Sequence, residues 1–240
     1  MKLYRFFLDG NPSYLARHYW WAYLWRPAAW LFDHQTVINL ILFGQYKKLM
    51  NATINCLDYK SNDKLLQLTC VYGSLTPNIL KKISPHSIHI TDVSLLQLKR
   101  LKDKVRNNKK LIMTRMNVEK LAYKNNAFTI LVIFFLLHEM PTEARRSTLS
   151  ECMRTLSVDG TLLYTEYAPL PKKHFLYRFL LSRILITKLE PFLESYWEDD
   201  ILEIINDLGR PFGKGVEIIS HTLLFDGFYR VTKFRVVNNP

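Results

Sequence analysis

The chain has 240 residues, 48% of them hydrophobic, enough to bury one sizeable α/β core, and 33 Lys+Arg against 21 Asp+Glu leave a formal charge of +12. That balance favours an anionic partner, nucleic acid or an acidic membrane surface, without choosing between them. Cys56, Cys70 and Cys152, odd in number and without a C-x-x-C spacing, argue against a zinc cage or a disulfide framework and fit a reducing cytoplasm.

The first 60 residues are aromatic-rich and helical in pattern, with Trp20, Trp21, Tyr23, Trp25 and Trp30 crowded ahead of FDHQTVINLILFGQYKKLM, and read as a cap. From Leu65 the rhythm changes to short β runs alternating with amphipathic helices, so residues 61–240 are expected to form one sheet-and-helix domain. Strand one is expected over Leu65 to Cys70, and Thr76-Pro77 opens a helix as a cap followed by a proline. Strand two runs from Ser87 to Thr91 and ends at Asp92; the helix SLLQLKRLKDKV follows. Strand three is Leu111 to Arg115 and strand four Phe128 to Phe135. The helix TEARRSTLSECMRTL comes next, then a turn at Asp159-Gly160 and strand five, Thr161 to Tyr167.

The segment KKHFLYRFLLSRILITKLEP predicts one helix, apolar around most of its circumference and stopped by Pro191, within an insertion spanning 169–191. Residues 216–224 and 228–237 alternate around Asp226-Gly227 like a terminal β-hairpin. The longest apolar run, residues 127–137 broken by Thr129, is too short to cross a bilayer, and no signal-peptide pattern opens the chain. The expected protein is therefore soluble or peripherally attached.

This order of elements predicts a Rossmann-like nucleoside-binding sheet of seven strands, mostly parallel, with a C-terminal hairpin and an N-terminal helical cap. LLQLTCVYGSLT, HITDVSLLQL and LSECMRTLSVDGTLLYTE resemble the class I S-adenosylmethionine (SAM) methyltransferases in that order. Asp92, nineteen residues after Gly73 at a strand end, suits a ribose diol, or caps the helix it precedes. Asn117 matches an adenine-contacting position, or is a turn asparagine. The loop departs from the usual pattern: Gln67 stands where a carboxylate usually helps hold the methionine amine, and Thr69 and Val71 replace glycines.

YWWAYL, VYGSLT and LLHE, over nearly the whole chain, resemble the rhodoquinone biosynthesis (RquA) family, methyltransferase-like in fold. That resemblance implies an enzyme that replaces a methoxy group of ubiquinone with an amine. SAM would be the amino donor, and a divalent metal, manganese by expectation, would assist. It implies a cofactor site at Gln67, Thr69, Val71, Tyr72, Gly73, Asp92, Val93, Asn117 and Val118, and a quinone site at Trp21, Tyr23, Asp33 and Asn39. Loss of the acid at position 67 is then expected to free the SAM amine as a nucleophile.

His138 and Glu139, past strand four at the open end of the sheet, are the expected base or metal ligands, with Tyr72 a further catalytic candidate. For each an ordinary reading stands beside the chemical one: a histidine that packs, a tyrosine that fills space. Glu166 is either another ligand or an exposed strand-end carboxylate, and Asp33-His34 either reach into the site or cap the helix near Gln35. The helix over 172–190, with Arg178, Arg183 and Lys188, suits an anionic membrane surface or a buried position with snorkelling cations. The expected location is the cytoplasmic face of a membrane. No nucleic-acid partner is expected, since no RNA-binding motif accompanies the charge.

Overall fold

The computed structural model describes residues 8–83, 88–105, 108 and 110–239. Seven strands form one sheet in the order β3-β2-β1-β4-β5-β7-β6. They are β1 (Leu65–Leu68), β2 (Ile88–Asp92), β3 (Leu111–Arg115), β4 (Phe128–Phe134), β5 (Leu156–Tyr167), β6 (Lys214–Leu224) and β7 (Tyr229–Asn238). Pairings among β1 to β5 are parallel; β7 runs antiparallel to β5 and to β6. The expected Rossmann-like class I SAM-methyltransferase fold is therefore observed, its central strands β1 and β4 buried on both faces by near-continuous apolar runs.

The helices between strands are α5 (Leu75–Lys82), α6 (Leu95–Val105) and α7 (Thr142–Thr155), with a 3-10 turn at Leu137–Glu139. Ahead of the sheet lie α1 (Ser13–His18), a π-helical turn (Trp20–Leu24), α2 (Arg26–Phe32), α3 (Gln35–Ile41) and α4 (Tyr46–Asn55). Between β5 and β6 come α8 (Phe175–Arg178), α9 (Leu180–Leu189), α10 (Leu193–Glu198) and α11 (Ile201–Gly209).

Several boundaries differ from the sequence expectation for visible reasons. Strand β1 stops at Leu68 because Thr69 turns to a positive φ of 65°. Ser74 precedes α5, so Thr76 lies inside the first turn, where its hydroxyl donates to Gln67. The helix expected over 172–190 is two: Phe179 is extended, and Ser182 Oγ donates to the carbonyls of Leu176 and Phe179 at the break. Strand β5 begins at Leu156, taking in Asp159-Gly160 as a bulge opposite Phe128–Ile130. The hairpin turn carries positive φ at Phe225, Asp226 and Gly227, matching the right-handed twist of its strands. Ser87, the expected start of strand two, lies outside the described residues.

Candidate active site

A cavity opens at the carboxyl ends of β1, β2 and β4, where ligands of such sheets bind, with the N-terminal helices as its roof. Thr69, Val71, Tyr72, Asp92, Val93, Asn117, Val118, His138, Glu139, Trp21 and Tyr23 all line it. Gln67, Gly73, Asp33 and Asn39 do not, and the first three have another task.

Gln67 is fully buried; its amide donates to the Thr69 carbonyl at 2.9 Å and accepts from Thr76 Oγ1 at 3.0 Å. It props the turn from beneath, so the expectation that it faces the methionine amine is corrected. Gly73 has φ +80°, and a Cβ there would lie 2.6 Å from Tyr46 Cζ. The glycine makes room for Tyr46, whose hydroxyl donates to the Tyr72 carbonyl at 3.3 Å and accepts from Ser74 N at 2.6 Å and Leu75 N at 3.1 Å. The start of α5, an anion-binding corner in many such folds, is thus occupied by the protein's own phenol.

Asp33 accepts from Gly73 N at 3.0 Å and pairs with Arg100 at 2.9 Å and with Lys104, clamping the cap onto the loop and α6. Its predicted substrate role is replaced by this clamp. Asn39 lies on the flank of α3, which turns Ile38 and Ile41 to the cavity instead. Tyr72 stacks on Tyr23 at 5.3 Å; its hydroxyl donates to the Ala22 carbonyl at 2.5 Å and accepts from Gln97 Nε2 at 2.8 Å. With its proton committed and its pKa raised by burial, Tyr72 is a wall of the site, not an acid or base.

Asp92 is buried, accepting from Cys70 N at 2.8 Å and Ser94 N at 2.7 Å. Burial raises its pKa to about 6 against those hydrogen bonds. Each carboxylate oxygen keeps a further lone pair, so the helix-side bonds and a ribose diol are compatible. Asn117 accepts from Glu119 N at 3.0 Å in an Asx turn, fixing its amide at the cavity edge.

Across the cavity sits an acidic cluster. His138 Nδ1 is 2.8 Å from Glu166 Oε2, and its Nε2 is 4.0 Å from Glu139 and 3.8 Å from Glu190. Tyr23 donates to Glu139, and Tyr19 donates to Glu190 at 2.9 Å. Glu166 is fully buried, not the exposed carboxylate of the ordinary reading, and also accepts from Leu136 N at 2.6 Å and Leu137 N at 2.8 Å. Burial acts against its charge, but His138 and these N–H groups outweigh it and hold its pKa low. Burial pulls the His138 pKa down, yet Glu166 and the other two acids carry it up to about 9. Glu139 and Glu190 are raised, chiefly by burial.

One ligand atom each from His138, Glu139 and Glu190 lies within 4.8 Å of the others. An imidazole nitrogen and two carboxylates, with Glu166 orienting the ring from behind, is a donor set that fits a divalent cation. The sequence reading found His138 and Glu139 but missed Glu190. Its signal was present: Glu190 is the first acid after Glu166, following a run of only basic, polar and apolar residues.

A sequence profile described as a methyltransferase domain matches residues 65–160, from β1 into β5. No curated protein matches the chain. Among solved structures, the N-methyltransferase NodS from Bradyrhizobium japonicum WM9 superposes over 84% of this chain and 98% of its own, at 10% identity and TM-score 0.56. The carbon methyltransferase CurJ covers 95% of this chain and 62% of its own, at 16% identity and TM-score 0.58. The cyclase SpnF covers 80% and 81%, at 14% identity and TM-score 0.56. At such identities these likenesses show a shared fold, and their names span more than one chemistry.

Proposed function

We propose that this chain is a SAM-dependent enzyme that replaces a methoxy group of ubiquinone with an amino group. The observation that carries the reading is one cavity lined by Asp92 and Asn117 and by the cluster of buried His138 with half-buried Glu139 and Glu190. A nucleoside subsite thus faces a set of proton acceptors and metal donors across walls of Trp21, Tyr23 and Tyr72, flat surfaces that suit a flat ring.

Bound SAM supplies the nitrogen, and a divalent cation, manganese by the family resemblance, supplies Lewis acidity toward a quinone oxygen. His138 Nε2, Glu139 and Glu190 are the residues that would hold the cation, with Glu166 fixing the tautomer of His138 through Nδ1. Asp92 takes the ribose hydroxyls and Val118 packs against the adenine. A carboxylate oxygen of Glu139 or Glu190 not committed to the cation is placed to take the proton the amine must lose. The nitrogen would bond to the methoxy-bearing ring carbon as one of its protons and the methoxy group leave as methanol; loss of the methionine α-proton would then pass two electrons to the quinone, and hydrolysis of the resulting imine would leave the amine on the reduced ring and release a keto acid.

A second reading, transfer of a methyl group to a quinone precursor or other hydrophobic small molecule, is favoured by the profile match over residues 65–160. Mass spectrometry of the quinone after incubation with SAM, manganese and ubiquinone separates the two. Loss of a methoxy and gain of an amine supports the proposal; gain of a methyl with the methoxy groups kept supports the second reading and overturns the first.

A further inference from the structure

Helix α9 is turned inside out for a soluble protein. Its half-buried positions include Ser182 and Thr187, whereas Leu180, Leu181, Ile184, Leu185 and Leu189 face outward, Leu181 at 73% exposure. A surface helix normally buries its apolar stripe, and this one buries no residue fully. The exposed apolar surface continues beyond it. Phe175 touches Phe225 at 5.8 Å, Phe225 stacks on Phe43 at 6.0 Å, and Phe43 joins the exposed Leu40 and Ile41 at the end of α3.

The rim of this surface is mainly basic, with the exposed Asp226 of the hairpin turn as an acid beside Phe225. Lys172, Lys173, Arg178, Arg183 and Lys188 are exposed and no acid lies among them, while Lys47 and Lys48 are exposed on the α4 side. An apolar stripe flanked by cations is complementary to a layer with an apolar interior and anionic headgroups. Ile41 and Leu189 are exposed on this face and also line the cavity, so the mouth of the site opens within it.

We propose that α8, α9 and the end of α3 dock on an anionic lipid surface, and that a lipid-soluble substrate passes laterally from the bilayer between Ile41 and Leu189 into the cavity. Docking rests on the surface alone; lateral passage also rests on the quinone reading. Because Glu190 follows α9 directly, the docked helix would hold one member of the acidic cluster at the membrane boundary.

Co-sedimentation with vesicles of phosphatidylglycerol and phosphatidylcholine, beside pure phosphatidylcholine vesicles, tests the docking without any assay of turnover. The intact chain is expected to sediment with the anionic vesicles, and less so as salt is raised. The double substitution Leu181→Glu and Leu185→Glu, both at exposed positions, is expected to weaken binding by at least about tenfold. Lys172→Ala with Lys173→Ala is expected to weaken it less and to reduce the salt dependence. Failure of the intact chain to bind anionic vesicles would overturn the inference. So would a dimer that the double substitution dissociates without altering vesicle binding, since a second copy of the chain would then be what covers the face.

Discussion

Gln67 and Gly73 look in the sequence like remnants of a nucleoside loop, and the structure gives both a mechanical reason. Gln67 ties Thr69 to Thr76, and Gly73 admits the Tyr46 ring to the start of α5. Gly73→Ala would force a left-handed residue and a clash with Tyr46 together, so a loss of about 2–4 kcal/mol is expected in denaturant unfolding. Asp92 makes a separate prediction. Its pKa of about 6 lies above that of an ordinary aspartate, and ribose hydroxyls bind the ionised form. Calorimetric affinity for SAM should therefore be full above pH 6 and fall as pH drops through it; Asp92→Asn should bind weakly with no such dependence. Stability of the free protein runs the other way. The neutral form is the better tolerated when buried, so the Asp92 contribution is present at low pH and lost as pH rises through about 6.

The short elements around β4 and β5 decide where the chemistry can sit. Arg145 of α7 is fully buried, pairs with Asp199, donates to the Met140 carbonyl and Ser195 Oγ at 3.0 Å each, and thereby holds the 3-10 turn bearing His138 and Glu139 against α10. Arg145→Ala strips an ion pair from the interior and is expected to cost about 3–5 kcal/mol in thermal or denaturant unfolding. Glu166 acts one layer behind the donors. Glu166→Gln should weaken manganese binding by about 10–100-fold in an electron paramagnetic resonance titration, while circular dichroism shows the fold intact. Unchanged manganese affinity would remove Glu166 from the cation site. Glu190 was hard to foresee because its helix is distant in sequence from strand four and meets His138 only through tertiary packing. The burial of Glu166 was hidden for a related reason: a strand-end acid reads as exposed until the turn after β4 closes over it.

The sheet was legible in advance because its signals are local: apolar runs of strand length, helix periods between them, and a turn at Asp226-Gly227. Thr69 moved an edge without changing the order of the strands, and Ser182 split a helix for which periodicity alone offers no break. Which residues would line the cavity was legible where backbone topology dictates it, at Asp92, Asn117 and His138, and illegible where side-chain direction decides, at Gln67, Asp33 and Asn39. The charge of +12 pointed toward an anionic partner, and five exposed cations, Lys172, Lys173, Arg178, Arg183 and Lys188, lie on or beside α8 and α9. Because this fold serves several chemistries, the decisive question is where the nitrogen of the product originates. Incubation of the intact protein with ubiquinone, manganese and SAM labelled with nitrogen-15 in its amino group answers it by mass spectrometry. The account predicts the label in an amine on the quinone ring in place of a methoxy group; a methylated product with an unlabelled ring would contradict it.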